Sequence, residues 1–319
     1  MRADFAQAVA DGLNIGRADL VERDIIIHQL LLDLSRDKFF SGNFTFKGGT
    51  CLIKCYYGYM RFSEDVDFTW KKQDAFTGQS QKAIRRVLSG VIDRVGALLE
   101  GIARRREMDF KFLKGDRRYV ELGGSDRICT FKVWYESQVM KRSSFIKIQI
   151  NFVESLCFGL KNGELSSLLS KGNSELRALF PEDYGEYHRA INFTIYDVRE
   201  ILSEKVRAIL TRRGTKARDF LDIYLIYRRY GMKPQDVEHC IMNKVSYSLR
   251  MYIKYRENLV KKARLLETGE MFSWGQERSL LIGEIDERDF YSFIRGLYAF
   301  LMQVTKASGG FGPQGGSNK

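Results

Sequence analysis

The chain has 319 residues, 44% of them hydrophobic and 29% charged, with only three prolines; it is long enough for one large or two smaller domains and too apolar to be disordered. Lys and Arg number 52 against 40 Asp and Glu, a formal charge of +12 with a pI near 9.4, and this balance favours an anionic partner, nucleic acid above all. No run of about 18 uncharged apolar residues occurs and the start, Met1-Arg2-Ala3-Asp4-Phe5, lacks the apolar centre of a secretory signal, so a cytoplasmic protein with no membrane partner is expected.

In chain order, residues 18–40 carry apolar side chains densely enough for a buried helix, through Ile25, Ile26, Ile27, Leu30, Leu31, Leu32 and Leu34. A short β-prone run, Phe44-Thr45-Phe46, then meets Lys47-Gly48-Gly49-Thr50 and a helix whose face holds Leu52, Ile53 and Tyr56. Residues 65–70 read as a strand with Asp65, Asp67 and Thr69 on one face and Val66, Phe68 and Trp70 on the other. The spacing of Ile84, Leu88, Ile92, Val95 and Leu99 predicts an amphipathic helix over 81–101, ending at Gly101. Period-two alternation over 127–134 and 145–152 predicts two antiparallel strands.

Gly, Ser and charged residues dominate the passage containing Pro181, which reads as a connector. Two helices are predicted beyond it, one through Val198, Ile201, Leu202, Ala208 and Ile209, the next over 217–230 with Asp219 and Asp222 on neighbouring positions. The expected organisation is a sheet lobe with N-terminal helices at 1–160, a connector at 161–190, a helical lobe at 191–307 and a flexible Gly-rich tail at 308–319.

The chemistry concentrates at the glycine turn and the strand after it. Glycines between a strand and a helix permit positive φ and close backbone approach, so the amides there can hold a phosphate. Carboxylates at i and i+2 of a strand lie roughly 6 to 7 Å apart at the backbone and can converge on divalent ions. Oxygen ligands of this kind favour Mg²⁺, or Mn²⁺ in its place, which completes its shell with the phosphates of a nucleoside triphosphate. Either element alone is more commonly a solvated strand edge or an ordinary turn; their order and spacing give the pair its meaning.

Two basic stretches stand out, Arg104-Arg105-Arg106 with Lys111, Lys114, Arg117 and Arg118, and a second through Lys244, Arg250, Lys254, Arg256, Lys261, Lys262 and Arg264. Tyr247, Tyr252 and Tyr255 interleave with the second, so Arg104, Arg105, Arg106, Lys254, Arg256, Lys261 and Lys262 are candidate RNA contacts. A solvated helix face with inward tyrosines has the same pattern. The five cysteines, Cys51, Cys55, Cys129, Cys157 and Cys240, show no paired spacing and are expected to be reduced thiols.

Four blocks occur in one order: Lys47-Gly48-Gly49-Thr50, the run from Arg61 to Phe68, Ser203-Glu204-Lys205-Val206-Arg207-Ala208, and Lys216-Ala217-Arg218-Asp219-Phe220-Leu221-Asp222. Over about residues 25–230 the chain thereby resembles the AbiEii/AbiGii-type nucleotidyltransferase toxins of the DNA polymerase β-like superfamily. The resemblance implies a bilobal α/β (α+β) protein, a polymerase-β-like mixed sheet lobe followed by a mainly helical lobe, with the active site in the cleft between them. It implies a toxin of a toxin–antitoxin or abortive-infection system, with a cognate antitoxin encoded nearby. Lys47, Gly48, Gly49, Thr50, Ser63 and Lys205 would bind the nucleotide, Asp65 and Asp67 would ligate the metal, and Asp65, Asp67, Lys205 and Asp219 would form the catalytic set. The superfamily's third carboxylate on a later strand is absent, since residues 147–151 offer Gln149 and Asn151.

The expected function is Mg²⁺-dependent transfer of nucleotides from a nucleoside triphosphate to RNA, the 3′ acceptor end of transfer RNA foremost, which blocks translation. Nucleotidylation of a protein or small-molecule hydroxyl is the alternative that keeps the chemistry, and a catalytically silent nucleic-acid-binding protein the one that does not. Substitution of Lys205 or Asp219 by alanine is expected to leave the melting temperature nearly unchanged.

Overall fold

The structure is a computed structural model that describes residues 3–76, 78–123 and 127–308. Apart from Ser308, the expected tail lies outside the described residues. The chain divides into two compact units, one of residues 1–154 and 160–196, the other of residues 155–159 and 197–319.

The first unit opens with helices α1 (Ala3–Gly12), α2 (Ala18–Arg36) and α3 (Lys38–Asn43). The long helix expected over 18–40 is thus broken at Asp37, which adopts an extended conformation and accepts a hydrogen bond from the Phe40 amide at 2.7 Å to start α3. Strand β1 (Phe44–Lys47) runs into the short helix α4 (Gly48–Leu52) and a single π turn over Ile53–Tyr57; β2 (Asp65–Trp70) follows. Helix α5 (Gln81–Arg105) passes through Gly101, because Ile102 and Ala103 continue its buried stripe and the turn ends only at Arg106.

Strand β3 (Val120–Gly123) precedes a hairpin of β4 (Ile128–Ser137) and β5 (Arg142–Asn151), then β6 (Lys161–Leu165), helices α6 (Ser174–Leu179) and α7 (Pro181–Tyr187), and β7 (Ile191–Ile195). The seven strands form one mixed sheet in the order β3-β4-β5-β2-β1-β7-β6. Phe44, Phe46, Phe68 and Phe193 interlock on one face with Phe40, at ring-centroid distances of 4.6 to 6.2 Å. Each buried aromatic of this kind contributes on the order of 2 kcal/mol through the apolar surface it removes from water.

The passage expected to be a connector is therefore part of the sheet unit. Leu165, Leu169, Leu176, Tyr184 and Tyr187 are buried there, and β7 lies parallel to the central β1, with Phe46 level with Ile195. The boundary falls at residues 196–197 instead of 190–191.

A fully buried ion pair anchors α2 in this unit. The Lys54 ammonium lies 3.0 Å from the Asp24 carboxylate, which also accepts hydrogen bonds from Tyr59 and Tyr187 at 2.8 and 2.7 Å. His28, one turn along, contacts the Arg189 carbonyl at 2.9 Å, and burial, reinforced by the Lys54 charge, pushes its pKa down to about 4.

In the second unit, helices α8 (Val198–Thr211), α9 (Ala217–Tyr230), α10 (Glu238–Met251), α11 (Ile253–Glu267) and α12 (Glu287–Ser308) supply the architecture. Asp197 caps α8 through the Arg199 amide at 2.9 Å, and Gly231, with φ of 66°, ends α9 in the left-handed conformation glycine tolerates. No helix among the described residues is long and apolar enough to cross a membrane.

The reduced set of five thiols is corrected here. Cys157 and Cys240 form a disulfide with a Cα–Cα distance of 5.8 Å, while Cys51, Cys55 and Cys129 are free. Eighty-three residues separate the pair, so only tertiary structure could reveal it. Titration of the unreduced, unfolded protein with a thiol reagent is expected to find three thiols, and five after reduction; five without reduction would refute the bridge.

Candidate active site

The site grows from the register of three strands. Strands β1 and β2 are antiparallel with Lys47 level with Asp67 and Thr45 level with Thr69. Strands β2 and β5 are parallel, placing Lys147 level with Asp65, Gln149 with Asp67 and Asn151 with Thr69. Residues level with one another share a face, so two carboxylates, two lysines and two amides stand together opposite the aromatic face. The burial of Thr45 and Thr69 on this polar side marks it as central to the sheet and not a solvated edge.

Gly48 binds the turn to the strand. Its φ is 79°, and a Cβ placed there would collide with the Asp67 carboxylate, so glycine is required by conformation and by space. A Cβ on Gly49 would lie 2.6 Å from the Arg61 guanidinium, which is fully buried and donates to the Phe62 carbonyl at 2.6 Å. Thr50 donates to the Asp65 carbonyl and stands 2.8 Å from the Ser63 hydroxyl. A carbonyl only accepts, so the Thr50 proton is committed there and Ser63 is left as the donor of this pair.

Glu154 is the residue missed in the sequence. Its carboxylate accepts from Lys47 at 2.8 Å and from Asn151 at 2.5 Å, and its own amide donates to the Gln73 side chain at 2.7 Å. It lies three residues beyond β5, outside any strand alternation; the signal for it in the sequence was an acidic residue soon after two amides on the polar face. The Lys47 ammonium is also 5.3 Å from the centre of the Tyr196 ring.

Asp65 and Asp67 are half-buried oxygen donors on one face beside a glycine cradle. This donor set fits a divalent ion that retains water and binds phosphate oxygens.

Lys205 and Asp219 belong to the second unit, where they form a compact cluster. The Lys205 ammonium lies 2.8 Å from Asp219 and 2.7 Å from Asp222, and Arg212 reaches Asp219 at 3.1 Å. Burial opposes the Asp219 charge, but Lys205 and Arg212 outweigh it and hold its carboxyl below the usual range.

Among the basic candidates, Arg104, Arg105, Lys254, Arg256 and Lys261 are exposed. Arg106 instead forms ion pairs of 2.7 Å with both Asp33 and Glu186, and Lys262 is buried with its ammonium on the Thr215 hydroxyl. Neither of the last two is available to phosphate as a solvated side chain would be. Lys244 is likewise buried, 2.5 Å from Glu200. Glu200 also lies near Cys157 and Cys240, but it accepts from the Cys157 and Phe158 amides at 2.9 Å, so this trio pins residues 155–159 within the second unit.

A glycine turn packed on a strand aspartate, with a second aspartate two residues before it in a mixed sheet, is an arrangement suited to a metal-bound phosphate. The family described as nucleotidyl transferase AbiEii toxin, type IV TA system, matches residues 29–303, and the chain belongs to this family. Among solved structures, JHP933 from Helicobacter pylori is 15% identical, covering 91% of this chain and 94% of its own, with a TM-score of 0.41. A candidate nucleotidyltransferase from H. pylori is also 15% identical, covering 90% of this chain and 95% of its own, with a TM-score of 0.42. No curated protein matches the chain.

Two expectations follow. Gly48→Ala should lower stability by about 1 to 2 kcal/mol through the φ requirement and, by moving the Asp67 carboxylate, abolish nucleotidyl transfer; an active variant would detach Asp67 from the chemistry. The unchanged melting temperature expected for Lys205→Ala is revised, because two buried carboxylates lose the cation they share, although Asp219 keeps Arg212: a loss of roughly 3 kcal/mol is expected in urea denaturation. Adding Asp222→Asn should recover part of it, and a double variant no more stable than the single would refute the pairing.

Proposed function

We propose that this protein is the toxin of a two-component defence system and transfers nucleotidyl groups from an Mg²⁺-bound nucleoside triphosphate to RNA, the 3′ acceptor end of transfer RNA being the acceptor. Family membership supports the transferase and an antitoxin partner; the formal charge of +12 supports an RNA acceptor over a protein or small molecule. The observation that carries the reading is the packing of the Asp67 carboxylate against Gly48, which supports reading Asp67 as an ion ligand beside a phosphate-binding turn.

In the reaction a terminal ribose hydroxyl attacks the α-phosphorus, the new P–O bond forms as the bond to the β-phosphate bridging oxygen breaks, and pyrophosphate leaves. The attacking hydroxyl loses its proton to solvent or a site carboxylate. Asp65 and Asp67 would hold the metal, which neutralises charge on the triphosphate when bound. Gly48 and Gly49 allow the phosphates close approach, Ser63 would donate to a phosphate oxygen by turning its single proton away from Thr50, and Thr50 fixes the geometry by holding the Asp65 backbone. Lys205 neutralises the triphosphate, oriented by Asp219 and Asp222. Exposed Arg104, Arg105, Lys254, Arg256 and Lys261 bind the RNA backbone.

The test is incubation with total bacterial RNA, Mg²⁺ and each α-labelled nucleoside triphosphate in turn, with Asp67→Ala alongside. Label in a transfer-RNA-sized band with the wild type alone is the expected result. Label in protein or small molecules would replace the acceptor. No label anywhere, with salt-sensitive RNA binding indifferent to Asp67→Ala, would make this a binding protein.

A further inference from the structure

We infer that the site takes a single divalent ion and that the Lys47 ammonium, held in place by Glu154, stands where a second ion would otherwise be needed. The inference rests on the nucleotidyltransferase reading and deepens it. Two metal ions side by side need a carboxylate set large enough to offset their combined charge and to bridge them. On this sheet face the set is short: Asp65 and Asp67 are present, but the positions level with Asp67 and Thr69 on β5 are the neutral Gln149 and Asn151.

The third carboxylate nearby, Glu154, is already matched to a cation. Lys47 reaches it at 2.8 Å with side-chain exposures of 5% and 13%, and Asn151 donates to the same oxygen. Lys47 is also the cross-strand partner of Asp67, so a fixed positive charge lies beside one of the two ion-binding carboxylates. A lysine this enclosed is not a solvated surface charge. Lys147, level with Asp65, adds a second lysine to the face. An ammonium offers a compact charge and three donors, enough to offset charge developing on a phosphate oxygen without a coordination shell. Glu154 acts through Lys47 and is a positioning residue.

The measurement is Mn²⁺ binding by electron paramagnetic resonance on the full chain, alone and with each α,β-methylene nucleoside triphosphate in turn. One ion per chain is expected in the wild type and in Lys47→Arg. Lys47→Met, which takes the cation away from Glu154 and leaves its charge to a metal, is expected to bind a second ion at least tenfold more tightly than the wild type does. Two ions of comparable affinity in the wild type, none at all, or a folded Lys47→Met that still binds one, would each overturn the inference. If Lys47→Met does not fold, the wild-type count decides alone. The count is independent of turnover: one ion in a chain that labels nothing would spare the lysine and sink the transferase, and two in an active chain would do the reverse.

Discussion

The site depends on the absence of one carbon atom. Because Gly48 has no Cβ, the Asp67 carboxylate can occupy the space beside the turn, and the antiparallel register that sets Lys47 level with Asp67 becomes compatible with a helix starting at the next residue. Once α4 begins there, Thr50 reaches back to the Asp65 carbonyl and stands beside Ser63, tying the segment before β2 to the turn. The glycine motif and the carboxylate motif, fourteen or so residues apart along the chain, are one object in space.

The same strands divide the labour between their faces. Phe44, Phe46, Val66, Phe68 and Trp70 are buried on one side, which removes enough apolar surface to hold β1 and β2 in the centre of the sheet. That security permits the opposite face to carry charges and amides at Lys47, Asp65, Asp67, Gln149 and Asn151 without loss of register, since a slip of one residue would exchange the two faces entirely.

What could be read beforehand follows from which patterns are local. The turn, β2, the β4–β5 hairpin, α8 and α9 were legible because period and punctuation sit within a dozen residues. Strands β6 and β7 were not: β6 is an edge strand without alternation, and Gly163 in it is needed because Ile195 fills the space of its absent side chain, a contact 32 positions away. The disulfide of Cys157 with Cys240 and the reach of Glu154 to Lys47 are likewise products of topology. Charge runs misled in the same way. Arg106 and Lys262 read as members of basic patches, but their solvent exposure is set by Asp33, Glu186 and Thr215, none of which is near in sequence.

Among the described residues, four of the buried or nearly buried lysines lie against acid: Lys54 with Asp24, Lys244 with Glu200, Lys47 with Glu154, and Lys205 with Asp219 and Asp222. Burying such pairs costs desolvation that their attraction only partly offsets, so the pairs are better understood by what each leaves available than by stability. Lys54 leaves nothing, its side chain wholly enclosed and Asp24 further engaged by two tyrosines. Lys244 is 3% exposed and also bound to the Ser155 carbonyl, a structural clamp. Lys205 keeps 12% of its side chain exposed, and Glu154, the partner of Lys47, keeps 13%. A lysine that is to exchange one carboxylate contact for a phosphate oxygen needs such an opening, and of the four side chains Lys205 has the widest, which is consistent with the role proposed for it.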